Sequence, residues 1–226
     1  TLLSFRIMTE SILPQAEQFH RLIHLDRSLI VVSKPPRLLS VPGRGEDKQD
    51  CLISRVQREF TDALIVHRLD FDTSGLLVLA RGKDMHRRLS MLFQDRQVDK
   101  QYVALVDGLI AEESGAVDLP LIVDWPNRPR HMVDFEIGKP SLTRYRRLAY
   151  DEANDCSRVE LIPETGRTHQ LRVHMQALGH AILGDPLYGN ATAKCRPPRL
   201  MLHAESLAFD HPITRKSLSF HCAPDF

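Results

Sequence analysis

The 226-residue sequence lacks the features that define several common classes of protein. It has four cysteines without a C-x-x-C spacing, so neither a zinc ribbon nor a disulfide framework is predicted, and we expect a reducing compartment, the cytoplasm. No apolar run approaches the roughly 20 residues of a membrane span, so no membrane partner is expected. With 30 Lys+Arg against 29 Asp+Glu, the net charge is +1, and a nucleic acid would have to be held by a local basic surface.

The common catalytic signatures are also absent. There is no G-x-G-x-x-G, no G-x-x-x-x-G-K-[ST], no H-E-x-x-H and no G-x-S-x-G. His203 and Glu205 match the H-x-E half of a zinc nucleobase deaminase, but the P-C-x-x-C half is missing, which favours a chance match. His169 and His174 are five residues apart, which is not the spacing of two ligands on one helical face. We therefore expect no catalytic metal.

The pattern of apolar residues predicts one folded unit rich in strands. Strands are predicted at residues 29–32, 64–66, 76–79, 102–106, 158–162, 200–203 and 218–220. One helix is predicted after Asp84 as its N-cap, and a second from about Thr168 to a C-cap at Gly179. Because strands outnumber helices and do not alternate with them, we expect an α+β fold on a mixed, mainly antiparallel sheet with flanking helices.

Residues 67–75, His-Arg-Leu-Asp-Phe-Asp-Thr-Ser-Gly, connect two of the predicted strands. Loops held by rigid strands are where catalytic side chains tend to lie. Asp72 is two residues from Asp70, so in an extended link its side chain points the other way, which disfavours a paired-carboxylate mechanism. On this pattern alone, the better interpretation is that Asp70 caps a turn and Arg68 is a solvated neighbour.

This segment resembles the H-R-L-D-x-x-T-S-G motif of the RluA family of pseudouridine synthases. Further segments resemble that family in the same order: residues 31–35 (V-x-K-P), 100–102 (K-x-Y), 165–172 (T-G-R-x-H-Q-L-R) and 199–204 (R-L-x-L-H-A). Residues 119–129 are similar to the dual-specificity members. The resemblance runs from about residue 25 to the C-terminus. The sequence departs from the family pattern at Arg37, where the family usually has glycine. This difference puts the expected conformation of the local turn in question, but it affects no catalytic position.

The resemblance implies the pseudouridine synthase fold with a central active-site cleft, and an isomerase that needs no cofactor. Its expected partner is structured RNA, namely stem-loops of 23S ribosomal RNA and the anticodon arm of tRNA, and we expect a monomer. Residues 21–226 would form the catalytic domain, after an N-terminal extension at residues 1–20, with no S4-type RNA-binding domain.

The resemblance also implies roles for individual residues. Asp70 would be the essential carboxylate, which either adds to the sugar or base or removes a ribose proton. Arg167 would be the cation that favours its ionised form. Tyr102 would stack on the extruded uracil with Leu202 below it, and Arg68 would fill the space that the base leaves, beside His67 in the same RNA-binding segment.

A basic segment provides a further candidate RNA contact. Residues 126–147 contain few acids, Asp134 and Glu136, and several cations: Arg128, Arg130, Lys139, Arg144, Arg146 and Arg147. We interpret them as a phosphate track, which Lys194, Arg196 and Arg199 would extend. Two other classes stay open, an RNA-binding module without activity and a glycosidase or deaminase that acts on nucleic acid. Analysis of the product distinguishes all three.

Overall fold

Ten strands pair into one sheet and two more form a separate hairpin in the computed structural model, which describes residues 21–191 and 197–226. The strands are β1 (Arg21–Leu25), β2 (Leu29–Lys34), β3 (Ala63–Ile65), β4 (Ser74–Arg81), β5 (Asp99–Asp107), β6 (Ser114–Asp118), β7 (Leu121–Val123), β8 (His131–Val133), β9 (Leu142–Asp151), β10 (Cys156–Pro163), β11 (Leu202–Asp210) and β12 (Ser217–His221). The helices are α1 (Leu52–Gln57), α2 (Gly82–Gln94) and α3 (Gln170–Ala177).

The main sheet has the order β1-β2-β4-β11-β5-β10-β9-β6, with β3 paired to β4 and β12 paired to β11. Its pairings are antiparallel except that β4 and β11 run parallel. The sheet is therefore mixed and mainly antiparallel, which confirms the α+β prediction.

Strands β2 and β4 are buried on both faces, which explains why their sequences read as continuous apolar runs. Ile30 and Val32 pack in the core that contains α1, whereas Leu29 and Val31 pack in the core that contains α2. Successive side chains of a strand point to opposite faces, so one apolar run serves two hydrophobic layers.

The predicted helices are present, with shifted ends. Helix α2 begins after Arg81 as its N-cap, so the prediction of Asp84 as N-cap was wrong; Asp84 lies in the first turn and pairs with Arg88 at 2.7 Å. Helix α3 begins at Gln170, and Gly179 beyond its end has φ +91°, the left-handed conformation that was expected there.

Some predictions fall on residues that the structure does not describe: the N-terminal extension at residues 1–20, and Lys194, Cys195 and Arg196. Within the described ranges, no helix is both long and apolar enough to cross a membrane.

Candidate active site

Asp70 lies in the loop between β3 and β4, and the residues on both sides of it are fixed. The Ser40 hydroxyl donates to the main-chain carbonyl of Leu69 at 2.7 Å and accepts the Leu69 N–H at 3.1 Å, while the Leu69 side chain is buried in the core. The main-chain carbonyl of Phe71 accepts from Lys34 Nζ at 3.1 Å and from the Leu38 N–H at 3.2 Å. Asp70 is thus held on a rigid loop.

Lys34 is fully buried at the end of β2. Its Nζ donates to the main-chain carbonyls of Pro35, Leu38 and Phe71 at 2.8–3.1 Å, one acceptor for each N–H of an ammonium group. Burial lowers the pKa of Lys34 to about 7, against the charges of Asp70 and Asp72. The V-x-K-P segment therefore supports the Asp70 loop from beneath.

Two residues next to this loop have positive φ angles, Gly75 in β4 and Arg37 in the turn after β2. Gly75 has φ +112°, and a Cβ there would lie 2.3 Å from the Ala204 carbonyl, so the close approach of β4 to β11 requires glycine. Arg37, the departure from the family pattern, adopts the left-handed conformation itself, with φ 59°, and its guanidinium donates to the Pro198 carbonyl. The turn is thus formed without glycine.

A cleft of about 900 Å³ opens above Asp70. The candidate residues from separate segments, Asp70, Arg68, Tyr102, Arg167 and Leu202, all line it, whereas Asp72 is not among its lining residues. Asp70 is 25% exposed. Burial and the charge of Asp70 raise the pKa of Tyr102, so this tyrosine presents a neutral phenol to the cleft.

The structure gives Asp70 a different cationic partner from the expected one. Nη1 of Arg172, on α3, lies 3.4 Å from Oδ2 of Asp70, whereas Arg167 is an exposed residue at the rim. Nε and Nη2 of Arg172 each lie 2.7 Å from an oxygen of the fully buried Asp185. Although burial opposes the charge of Arg172, Asp185 and Asp70 raise its pKa.

The sequence analysis did not select Arg172, because the apolar spacing of α3 identifies only Leu171 and Met175 as residues of its buried face. A signal was present in the sequence, since an arginine or histidine within a buried helical turn needs a partner. The next segment, Gly-Asp-Pro-Leu-Tyr, supplies that partner as Asp185. His169 and Tyr188 were also not assigned to the site: Nε2 of His169 lies 3.8 Å from Asp70, and Nδ1 contacts Tyr188.

His67 lines the cleft as a neutral ring. Its Nε2 accepts the Val78 N–H at 3.0 Å, and the ring stacks on Phe93 at 4.4 Å. Burial and the charge of Lys100 lower the pKa of His67 to about 3. His67 is therefore an uncharged neighbour of Arg68, which is exposed.

The arginines of residues 126–147 are less available to bind RNA than the sequence implies, because they already have partners within the protein. Arg146 pairs with Glu160, which lies opposite it on the neighbouring β10, at 3.1 Å. Arg144 pairs with Glu164, the residue that follows β10. The other three arginines also have partners: Arg147 donates to the Ile110 carbonyl, Arg128 lies over the Trp125 ring and Arg130 lies over the Tyr188 ring.

The histidine of the H-x-E match, His203, has a structural role. His203 is buried on β11, with Nδ1 2.8 Å from the Ser74 hydroxyl and Nε2 2.8 Å from the Cys222 carbonyl. Both ring nitrogens are occupied, so His203 orders the junction of β4 and β11. Among residues 21–191 and 197–226, no group of three or more His, Cys, Asp or Glu side chains could hold a metal ion.

Comparison with known proteins identifies relatives across the chain. The family model described as RNA pseudouridylate synthase matches residues 28–177. The dual-specificity RNA pseudouridine synthases RluA of Escherichia coli K12 and of Pasteurella multocida are each 48% identical over 213 residues, which is 94% of this chain and 97% of theirs. The solved structure of human RNA pseudouridylate synthase domain containing 1 has a TM-score of 0.77 at 31% identity, covering 95% of this chain and 86% of that one.

Proposed function

The chain belongs to the RNA pseudouridylate synthase family and is an isomerase that acts on RNA, and we propose that Asp70 is the carboxylate that carries its reaction. The single observation that supports this role is the placement of Asp70: it is a partly exposed carboxylate on a fixed loop, beside the buried cation Arg172, at the base of the cleft. Residues 21–226 would act together as the catalytic domain.

The reaction breaks the bond between C1′ of the ribose and N1 of uracil, turns the base, and joins C1′ to C5. The C5 proton is lost and N1 regains a proton, so no group leaves and no electrons are transferred. Asp70 acts by addition to the sugar or base or by removing a ribose proton, and all of these require the ionised carboxylate. Arg172 favours that form because an opposite charge nearby stabilises it.

The lining of the cleft suits an extruded uridine. Tyr102 offers an aromatic face for stacking on uracil, and Leu202 offers an apolar surface from β11. Extrusion from a stacked RNA costs a few kcal/mol. Arg68 lies exposed at the cleft, where its planar guanidinium would enter the space that the base vacates.

The cations at the mouth of the cleft suit the RNA backbone better than the arginines of β9. Arg96 and Arg167 are exposed, line the cleft and have no acidic partner among the residues that the structure describes. Arg144 and Arg146 would first have to leave Glu164 and Glu160. We therefore place the main phosphate contacts at the mouth, with Arg128 and Arg130 on the β7–β8 hairpin beside it.

The RNA substrates are proposed from the relatives. The curated relatives are named dual-specificity RNA pseudouridine synthases, and the chain spans 97% of their length. We propose that this protein modifies uridines in stem-loops of 23S ribosomal RNA and in the anticodon arm of tRNA, as a cytoplasmic monomer.

The test is to map pseudouridines in ribosomal RNA and tRNA from cells that lack this protein, and from the same cells carrying the wild-type or the Asp70→Asn gene. We expect specific sites to be lost, and to return only with the wild-type gene. Sites that return with Asp70→Asn would remove Asp70 from its role. Sites that never change would remove these RNAs as substrates.

A further inference from the structure

The His169 ring lies between Asp70 and a buried tyrosine. Nε2 of His169 lies 3.8 Å from Oδ2 of Asp70, and Nδ1 lies 2.7 Å from the hydroxyl oxygen of Tyr188. The His169 side chain is 10% exposed, and Tyr188 is 2% exposed. Each ring nitrogen faces a different group, so the tautomer of the ring decides whether Asp70 meets an N–H donor or a lone pair.

The contacts of Tyr188 define that tautomer. Its hydroxyl oxygen accepts the main-chain N–H of His131, at 2.7 Å, from the start of β8. The buried hydroxyl proton needs an acceptor, and Nδ1 of His169 is the only one that the described part of the chain provides. Tyr188 therefore donates to Nδ1, and in a neutral imidazole the proton then lies on Nε2, the nitrogen that faces Asp70.

The surroundings keep the ring neutral and Tyr188 in place. Burial lowers the pKa of His169 to about 4, against the charge of Asp70; Arg172, His131 and Asp185 are the other charged or titratable groups that affect it. The ring of Tyr188 has two guanidinium groups over it, with Arg172 Cζ 5.1 Å and Arg130 Cζ 5.4 Å from its centroid.

The backbone at His169 is strained, and the start of α3 holds it so. His169 has φ 56° and ψ 14°, a left-handed conformation that costs free energy for a residue other than glycine. The next residue, Gln170, uses its side-chain oxygen to accept from the Arg167 N–H and the Thr165 hydroxyl, and its amide to donate to Leu142 and Thr143. These bonds fix the turn that directs the imidazole toward the cleft.

We propose that His169 is a positioning residue for Asp70, as a neutral N–H donor whose tautomer is set by Tyr188 and the main chain of His131. The inference rests on the proposed role of Asp70. A separation of 3.8 Å is too long for a hydrogen bond, and catalytic hydrogen bonds are often long before substrate binds. The bond from Nε2 forms when uridine displaces water from the cleft, and it then holds Asp70 at one orientation toward the ribose and base.

The first test reads the tautomer directly in the wild-type protein, so it does not depend on any variant folding. ¹⁵N chemical shifts of histidine-labelled protein at pH 7 distinguish protonated from unprotonated ring nitrogens, and His169→Gln identifies the His169 signals. We expect a proton on Nε2 and none on Nδ1, and a mixture of tautomers in Tyr188→Phe. A proton on Nδ1 of the wild-type protein would overturn the proposal.

The second test measures single-turnover conversion of a uridine in an RNA stem-loop at saturating enzyme. His169→Asn removes the donor that faces Asp70, whereas the longer amide of His169→Gln can present an N–H near the position of Nε2. We expect His169→Asn and Tyr188→Phe to slow conversion about 10- to 100-fold at unchanged RNA affinity, with His169→Gln losing much less. The matched control Tyr150→Phe removes a surface hydroxyl that bonds Asp155, and should match the wild type.

The outcomes separate the two proposals. Equal losses in His169→Asn and His169→Gln, or wild-type rates in His169→Asn and Tyr188→Phe, would contradict the positioning role. If Asp70→Asn is inactive in the same assay while those variants are fully active, only this inference fails. If Asp70→Asn is itself active, the proposed role of Asp70 fails first.

Discussion

Nη1 of Arg172 lies 3.4 Å from Oδ2 of Asp70 while the rest of the same guanidinium is bound to Asp185 at 2.7 Å. The planar fork of arginine makes this possible, because one edge binds a buried carboxylate in two places and another nitrogen still faces the cleft. The cation next to Asp70 is therefore fixed before RNA binds. Such preorganisation means that little of its stabilising effect is lost to reorientation during the reaction.

Arg172→Lys keeps the charge but loses the fork, so a lysine that pairs with Asp185 has no second nitrogen for Asp70. We expect the single-turnover rate to fall at least about tenfold, with cooperative unfolding retained. Arg167→Ala is the control, since Arg167 lies at the rim: it should weaken RNA binding and leave the rate at saturating enzyme near that of the wild type. A loss of rate in Arg167→Ala as large as in Arg172→Lys would restore Arg167 as the partner of Asp70.

Arg68→Ala tests the extrusion of the base. In a folded stem-loop, an arginine that enters the vacated space offsets part of the few kcal/mol of unstacking, and that help is irrelevant in a flexible strand. We expect Arg68→Ala to lose much more activity on the stem-loop than on a short unstructured RNA with the same uridine, each compared with the wild type. Equal losses on both RNAs would mean that Arg68 acts in the chemistry or orders the loop.

The salt dependence of RNA binding locates the cations that bind phosphate. A substitution that removes one phosphate-binding cation should flatten the plot of log affinity against log salt by about 0.7–0.9 units. We expect this change for Arg96→Gln and Arg167→Gln, and little change for Arg144→Gln and Arg146→Gln, because Glu164 and Glu160 already neutralise those two. If Arg144→Gln and Arg146→Gln flatten the slope more than the variants at the mouth of the cleft do, the phosphate contacts lie on β9.

Stability should fall as the pH falls from 6.5 toward about 4, because the folded state keeps the partly buried rings of His67 and His169 neutral. Their pKa values are lowered from 6.5 to about 3 and about 4. In this range the unfolded state binds protons that the folded state does not, so each group removes up to about 1.4 kcal/mol of unfolding free energy per pH unit.

Urea unfolding across that pH range measures the effect. We expect His67→Gln and His169→Gln to show a shallower pH dependence than the wild type, and the exposed His221→Gln to show the same dependence as the wild type. If all three variants follow the wild-type curve, the two histidines are not buried as neutral groups in solution.

Local patterns in the sequence were sufficient to predict the strands and the loop that form the base of the site. The apolar runs of β2 and β4 predicted the central strands, and the short polar link between β3 and β4 predicted where Asp70 lies. Both signals are local, since a run of buried residues and a loop that interrupts it are visible within ten residues.

The electrostatic partners could not be predicted in the same way, because they depend on which segments meet. Asp185 reaches Arg172 from a loop 13 residues away, and Glu160 reaches Arg146 across a strand pair. The count of charges within residues 126–147 therefore overestimated the free positive charge. Arg172 was not considered beside Arg167 for the same reason, since the two lie five residues apart and only the course of the turn before α3 decides which one lies nearer Asp70.

The most direct measurement of the central claim is product analysis with purified wild-type and Asp70→Asn protein on one RNA stem-loop. The amide keeps the shape of the carboxylate and removes its charge, so RNA affinity should change little. We expect the wild type to form pseudouridine without releasing free uracil or ammonia, and Asp70→Asn to form none. Asp70→Asn activity within about tenfold of the wild type, equivalent to 1.4 kcal/mol in barrier, would contradict the account.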